Sequence, residues 1–394
     1  MKYAIVIPDG AADRPLAELD GRTPLQAADK PTIDSLAATG RVGRVSNVPQ
    51  GYPPGSDVAI LSLFGYDVTE CYTGRAPLEA AAQGLTVADD EWVFRCNLVT
   101  LAGGTMVDYC SGHISTDEAR PIIESLSAQL AGHGVRFHVG VGYRHLMICT
   151  GQFDLELTPP HDITGKPFAP HLPKGLGGEQ LVTLMQASQA VLADHPVTAA
   201  RQAAGKHTAT SIWLWGYGKM PTLQPFAERF GVSAAVITAV DLVRGIATLT
   251  GMDRIEVAGA TGYIDTDYAG KGAAAVAALD DHDLIIVHVE APDECGHNGL
   301  AAEKTDAIGQ IDRHVVAPLL KRLQGEPGGW RMAILPDHPT PCGIKTHTAD
   351  PVPLVLAGSD VGTDALTTFD EAAAAASDLA IGPGELMGML LKTR

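Results

Sequence analysis

The sequence predicts an α/β protein: a mostly parallel sheet covered by helices on both faces, with an α+β domain inserted into it. Three observations lead there. The runs Tyr3–Ile7 and Leu284–Val289 are continuously apolar rather than alternating, as strands buried on both faces are. Strand-like and helix-like segments alternate in the last third of the chain, which implies parallel strands joined by crossover helices. Between about Thr73 and Thr210 the texture changes to short β-like stretches broken by Gly and Pro.

Taken in order, Tyr3–Ile7 reads as a strand running into a Pro8-Asp9-Gly10 turn. A helix is expected over Pro31–Thr39, with Pro31 starting it and Gly40 stopping it. The segment Pro49–Gly55 is dense in turn formers, and a helix with apolar Val58, Leu61 and Leu63 opens at Ser56. In the middle section Phe94–Leu101, Val135–Val139, Leu146–Thr150 and Phe153–Leu157 read as strands and Glu179–Leu192 as a helix. Beyond it come strands at Ala234–Val240, Ile255–Val257, Leu284–Val289, Met332–Leu335 and Val352–Leu356. Helices are expected at Leu242–Thr250, Tyr268–Leu279 and Glu385–Lys392, and through Ile308, Ile311, Val315 and Leu319, which recur at spacings of three and four. The resulting division is a discontinuous domain, 1–72 and 212–394, and an inserted one, 73–211.

A chain of 394 residues with 45% apolar residues can build two domains of ordinary size. With 46 acidic and 28 basic residues the net charge is −18, which argues against binding nucleic acid or an anionic membrane through the overall field. No stretch reaches the roughly 20 apolar residues that span a bilayer, and the N-terminal run is too short for a signal peptide. The six cysteines form no CxxC pair and read as reduced thiols, so a cytoplasmic protein is expected. A homo-oligomer is compatible with all of this.

The chemistry concentrates at strand ends. Asp9, Asp293 and Asp337 each follow a predicted strand, where ligands bind in open α/β folds. Converging carboxylates repel unless a cation lies between them. Histidines stand beside them: Asp293-x3-His297, the Asp337-His338 pair, and His347. Six Asp and His donors are too many for one catalytic metal and suit two divalent ions, with Mn²⁺, Zn²⁺, Co²⁺ and Mg²⁺ all compatible. A pair of ions about 3.5–4 Å apart is the usual arrangement for phosphoryl transfer. Ser56, in Pro53-Pro-Gly-Ser56-Asp57, is the candidate nucleophile, although a Ser before an apolar helix is equally well an N-cap.

These residues, together with Pro54-Gly-Ser-Asp57-Val-Ala, Ser62-Leu-Phe-Gly-Tyr-Asp67, Tyr72-Thr-Gly-Arg-Ala-Pro-Leu-Glu79, Trp215-Gly-Tyr-Gly-Lys219 and Gly259-Ala-Thr-Gly262, resemble the alkaline phosphatase superfamily. More closely they resemble the archaeal-type 2,3-bisphosphoglycerate-independent phosphoglycerate mutases, and the motifs run in order along nearly the whole chain. The resemblance implies an alkaline-phosphatase-like fold and interconversion of 3- and 2-phosphoglycerate, in glycolysis and gluconeogenesis, through a phosphoserine at Ser56. It implies one metal held by Asp9, Ser56, Asp337 and His338, a second held by Asp293, His297 and His347, and an inserted domain that binds substrate and acts as a lid. His113, Arg144, Lys219 and Arg75 are the candidate contacts to the small phosphorylated substrate. Where the archaeal mutases often carry His, this chain has Ile60, and its PPGSDV and TGRAPLEA segments are similar to a bacterial subgroup labelled as homoserine kinase. A homoserine kinase-like phosphotransferase and a phosphomonoesterase are therefore the alternatives, although no GxxxxGK[ST] loop is present.

Overall fold

The computed structural model describes residues 1–391. They divide into two units: Met1–Tyr72 with the chain from Thr222 onward, and Thr73–Pro221. Along the chain the strands are β1 (Lys2–Pro8), β2 (Arg41–Val45), β3 (Glu91–Ala102), β4 (Thr105–Asp108) and β5 (Val135–Val141). They continue with β6 (Arg144–Thr150), β7 (Asp154–Glu156), β8 (Lys174–Leu176), β9 (Ser211–Gly218) and β10 (Ala234–Ile237). The last are β11 (Asp253–Arg254), β12 (Leu284–Val289), β13 (Trp330–Ile334), β14 (Val352–Gly358) and β15 (Ala380–Ile381).

The first unit is built on an eight-stranded sheet in the order β11-β10-β12-β1-β13-β14-β2-β15. From β11 to β13 every neighbour is parallel, whereas β14 runs against both β13 and β2. All six residues of β12 are buried, as are all of β1 after Lys2, which is why both read as unbroken apolar runs. β1 lies between β12 and β13, so three adjacent parallel strands end side by side. Asp9 follows β1 directly, Asp337 stands three residues beyond β13, and β12 leads into the helix Ala291–Asn298 that carries Asp293. Sheet order alone thus gathers the acidic residues.

Several predicted elements differ in detail. The strand expected at Ile255–Val257 is instead β11 at Asp253–Arg254, and β10 stops at Ile237. The last helix is Leu386–Leu390, and Lys392 lies outside the described residues. The helix through Ile308, Ile311, Val315 and Leu319 is interrupted: Ala301–Ile311 and Ala317–Gln324 are joined by a π-helical turn, Asp312–Val316. All four apolar side chains are nevertheless buried. Asp312 accepts hydrogen bonds from the Ile33 and Thr32 amides at 2.7 and 3.2 Å, capping the helix Pro31–Thr39, whose own N-cap residue, Lys30, supplies no side-chain cap.

In the second unit β3 is central. It pairs antiparallel with β4, β6 and β9, and β6 pairs with β5. The helices Thr116–Leu130 and Gly178–Ala193 contribute Ile122, Leu126, Leu181 and Leu184 to a core with Phe94, Leu98, Met147 and Trp213. The expected junction at 211/212 falls inside β9. That strand pairs with β3 from Ser211 to Gly218, so the unit extends to Pro221. No helix of the described residues is long and apolar enough to cross a membrane, and the six cysteines are unpaired.

Candidate active site

Ser56 is the first residue of the helix Ser56–Leu63, after an N-cap at Gly55 that offers no side chain to the helix. It is therefore not the N-cap that the sequence left open. Its Oγ is free of helix capping and lies 3.1 Å from His338 Nε2. The first-turn N–H groups beside it have no intrahelical acceptor, so the positive end of the helix faces the same region. Asp57 is held by the Tyr72 hydroxyl at 2.5 Å.

His338 has a defined tautomer. Thr340 Oγ1 spends its one proton on Asp293 Oδ1, so at 3.3 Å it accepts from His338 Nδ1. The lone pair of His338 Nε2 then faces Ser56 Oγ. His297 and His347 are set the same way, with Nδ1 against the carbonyl oxygens of Lys345 and Pro54 at 3.1 and 3.2 Å. A carbonyl accepts only, so both Nε2 atoms carry lone pairs in the neutral rings, and they stand 2.9 Å apart. Asp293 lies within 3.3 Å of His297 Nε2 and 3.5 Å of His347 Nε2. Backbone carbonyls orienting imidazoles whose other nitrogens converge with a carboxylate are the outer shell of a metal site.

The second group is fully buried. Asp337 Oδ1 accepts from the amides of His338 and Gly10 at 2.9 and 3.3 Å, leaving Oδ2 as an orphan. Both oxygens of Asp9 are orphaned as well. His338 Nε2 is 3.3 Å from Asp337 Oδ2 and 3.7 Å from Asp9 Oδ1. Burial, then repulsion from Asp337, Asp293 and Glu290, pushes the Asp9 carboxyl well above the ordinary range. Against its burial, Asp293 is held well below it by the imidazoles of His297, His347 and His338 around it, which favour the charged carboxylate. Orphaned buried carboxylates beside converging imidazole Nε2 atoms fit divalent cations, and the structure groups the residues as Asp293/His297/His347, Asp9/Asp293/His338 and Asp9/His288/Asp337. His288 was not singled out in the sequence, because a lone His inside an apolar strand resembles a core residue. Asn47, also overlooked, fixes the loop by donating to the carbonyl oxygens of Asp337 and Pro336 at 2.8 and 3.3 Å.

The model of the 2,3-bisphosphoglycerate-independent phosphoglycerate mutase family matches residues 37–198. A Methanosarcina acetivorans protein named 2,3-bisphosphoglycerate-independent phosphoglycerate mutase is 48% identical over the full length of both chains. The chain belongs to that mutase family. A Geobacter sulfurreducens protein named as a probable mutase of the same kind is 49% identical, over 99% of this chain and all of its own. A solved Pyrococcus horikoshii structure superimposes with a TM-score of 0.83 at 31% identity, covering 99% of this chain and 96% of that one.

Against the mutase family background, the second unit holds the remaining candidates. Arg75 opens the helix Arg75–Ala82, 3.7 Å from Glu79. Arg95, which sequence reasoning missed, is buried, lies 3.1 Å from Glu79 and stacks over Trp215 at 4.2 Å. Burial lowers its pKa, the Glu79 charge resists that, and the charges of Arg75 and Arg144 lower it further, so three guanidiniums share one field. From Trp215 a chain of ring contacts runs through His161, Tyr109 and Tyr143 to the exposed Arg144. His113 is exposed in a left-handed turn, Ser111 and His113 both having φ 49°. Lys219 is engaged elsewhere: Nζ donates to the Asp89 carbonyl oxygen at 2.8 Å and lies 5.3 Å from the Trp92 ring. It is held as a structural cation and does not join the Arg75–Arg95–Arg144 group.

Proposed function

We propose that this chain interconverts 3-phosphoglycerate and 2-phosphoglycerate through a phosphoserine at Ser56, without 2,3-bisphosphoglycerate. The observation that carries the reading is Ser56 Oγ, 3.1 Å from the His338 lone pair and at a helix N-terminus, on the edge of the Asp/His cluster. Asp293, His297 and His347 hold one divalent ion and Asp9, Asp337, His338 and Ser56 another, Mn²⁺ being one suitable choice among Zn²⁺, Co²⁺ and Mg²⁺. When bound, such ions neutralise the phosphoryl oxygens and lower the pKa of the serine hydroxyl.

The chain's own groups position and stabilise. Ser56 Oγ attacks phosphorus in line, and its bond forms as the phosphorus–glycerate oxygen bond breaks. The first-turn amides of its helix stabilise the charge on the transferring group. The glycerate reorients, its other hydroxyl attacks the phosphoserine, and Oγ leaves and recovers its proton. Arg75, Arg95 and Arg144 are the second unit's cations for an anionic substrate. The second unit has the further task of excluding water while the phosphoserine exists, since hydrolysis would make the protein a phosphatase. A place in cytoplasmic glycolysis and gluconeogenesis follows from this reaction. The names of the two relatives favour this reading over a homoserine kinase-like transferase or a phosphomonoesterase.

The test is a coupled assay of purified protein with 3-phosphoglycerate and Mn²⁺ in the absence of bisphosphoglycerate. Formation of 2-phosphoglycerate, lost in Ser56→Ala and after metal stripping, is expected. Because Oγ caps nothing, Ser56→Ala should keep its stability within about 0.5 kcal/mol. Wild-type turnover by that variant would overturn the phosphoserine route.

A further inference from the structure

We propose that His288 is itself a metal ligand, its Nε2 completing the site walled by Asp9 and Asp337. The proposal rests on the metal-dependent reading above and adds a donor that neither the motifs nor the expected ligand sets contain.

His288 is the fifth residue of β12, with no exposed surface. Both faces of β12 are buried, so an imidazole here would be a core residue, and such a residue needs partners for both ring nitrogens. Nδ1 has one, Thr238 Oγ1 at 3.2 Å. Nε2 is 3.0 Å from Asp9 Oδ2, yet the two atoms make no hydrogen bond, and each remains without a partner. Two buried polar atoms at contact distance, with no bond between them and no other partner, are a pair that one shared cation would satisfy. Donors bonded at about 2.1 Å to one octahedral ion are about 3.0 Å apart, and in a tetrahedral site about 3.4 Å apart. Asp337, whose Oδ2 is the other orphan of this group, completes the trio of residues whose donor atoms lie within 4.8 Å of one another.

The ring is prepared for this role. When Nδ1–H is donated to Thr238 Oγ1, Nε2 presents a lone pair, the tautomer that carbonyl oxygens select in His297 and His347 and Thr340 selects in His338. Thr238 is itself fixed, accepting the Val240 amide at 3.1 Å. The backbone at His288 is anchored from the other side: the buried Lys271 ammonium donates to its carbonyl oxygen at 3.4 Å. A buried imidazole held at Nδ1 beside two orphaned carboxylates is a ligand set in its own right.

The experiment is anomalous diffraction at the zinc edge from wild-type crystals grown with Zn²⁺, paired with equilibrium dialysis of Zn²⁺ into wild type, His288→Ala and His288→Asn. The expected result is a peak about 2.0–2.1 Å from His288 Nε2 and also bonded to Asp9 and Asp337. Both variants should bind one fewer ion per chain, the affinity falling more than 100-fold. Asn retains a hydrogen-bond donor for Asp9, so a residue that merely oriented that carboxylate would be rescued by it. A peak bonded to Asp9 and Asp337 with Nε2 beyond about 3 Å, or wild-type affinity in the Asn variant, overturns the assignment while leaving the mutase reading in place. No peak against Asp9 or Asp337 overturns the assignment and the two-ion reading together, and the phosphoglycerate assay then reports on the reaction separately. The diffraction arm uses wild-type protein and is indifferent to whether the variants fold.

Discussion

Lys304 Nζ lies 2.9 Å from Asp13 Oδ2, and neither side chain has any exposed surface. The same ammonium donates to the Thr340 carbonyl oxygen at 2.8 Å, and Asp13 Oδ2 accepts the Cys342 amide at 3.0 Å. The pair therefore clamps 340–342, the segment that follows His338 and carries the threonine that sets its tautomer. Lys304→Met strands a buried carboxylate and should cost about 3–5 kcal/mol in urea unfolding. Asp13→Leu combined with Lys304→Met should recover much of that, since removing both charges removes the desolvation penalty. A single-variant cost below about 1 kcal/mol would deny the pair this role.

Gly10 bears directly on the cluster. Its φ is +60°, and a Cβ there would lie 2.5 Å from Asp293 Oδ1 and 2.6 Å from Thr340 Oγ1. Gly10→Ala should lose about 1–3 kcal/mol of stability from the left-handed backbone and the crowding. It should also displace Asp293, so that metal bound per chain in equilibrium dialysis falls. Full metal loading in a stable variant would contradict the close approach.

The parts of this molecule that were legible beforehand are those governed by local pattern. β12 was read at Leu284–Val289 because both its faces are buried, and Asp9, Asp293 and Asp337 were read because turn residues mark strand ends. The overlooked features are long-range. Asp312 caps a helix some 280 residues earlier, and that duty coincides with a π turn no periodicity reveals. Where the backbone of His314 passes, a Cβ on Gly272 would meet its carbonyl oxygen at 1.9 Å, a packing demand invisible in spacing. His288 is the one polar residue of an apolar strand and gives no periodic signal, and Arg95 is one of several polar residues in β3, nothing in the local pattern marking its long-range partners Glu79 and Trp215. The boundary expected at 211/212 cuts β9 because that strand's partner, β3, lies more than a hundred residues away in the chain.

Removing divalent ions should destabilise the protein apart from stopping catalysis. Asp9, Asp293 and Asp337 are all buried, and burial together with repulsion from Asp337 and Asp293 already pushes the Asp9 carboxyl well above the ordinary range. Ligand bound only by the folded state at 100 times its Kd contributes about 2.7 kcal/mol. Dialysis against a chelator should lower the Tm of wild type, and Mn²⁺ or Zn²⁺ should restore it in proportion to the logarithm of free ion concentration. His347→Ala, which removes one Nε2 from the Asp293 group, should show a smaller chelator effect. An identical Tm with and without chelator in wild type would contradict the cluster's role as a cation site.

The turn that presents His113 should be acid-sensitive, and the sign follows from Asp108. This carboxylate accepts from the amides of Cys110 and Gly112 at 2.8 and 2.7 Å and from His207 Nδ1 at 2.8 Å. Against the burial that would raise it, bonds from Cys110, His207 and Gly112 pull its pKa from 3.8 to about 2. A folded-state value below the unfolded one means the unfolded chain binds the proton first. The contribution is fully present above about pH 4 and lost as pH falls through about 2. Asp108→Asn cannot ionise and loses the acceptor strength of the charged form. In urea titrations the variant should be less stable than wild type at pH 7, and the difference should shrink between pH 4 and pH 2. Since Ser111 and His113 hold left-handed backbone in this turn, amide exchange at Cys110, Gly112 and His113 should quicken over the same range in wild type. A stability gap that stayed constant down to pH 2 would mean that the carboxylate charge does not hold the turn.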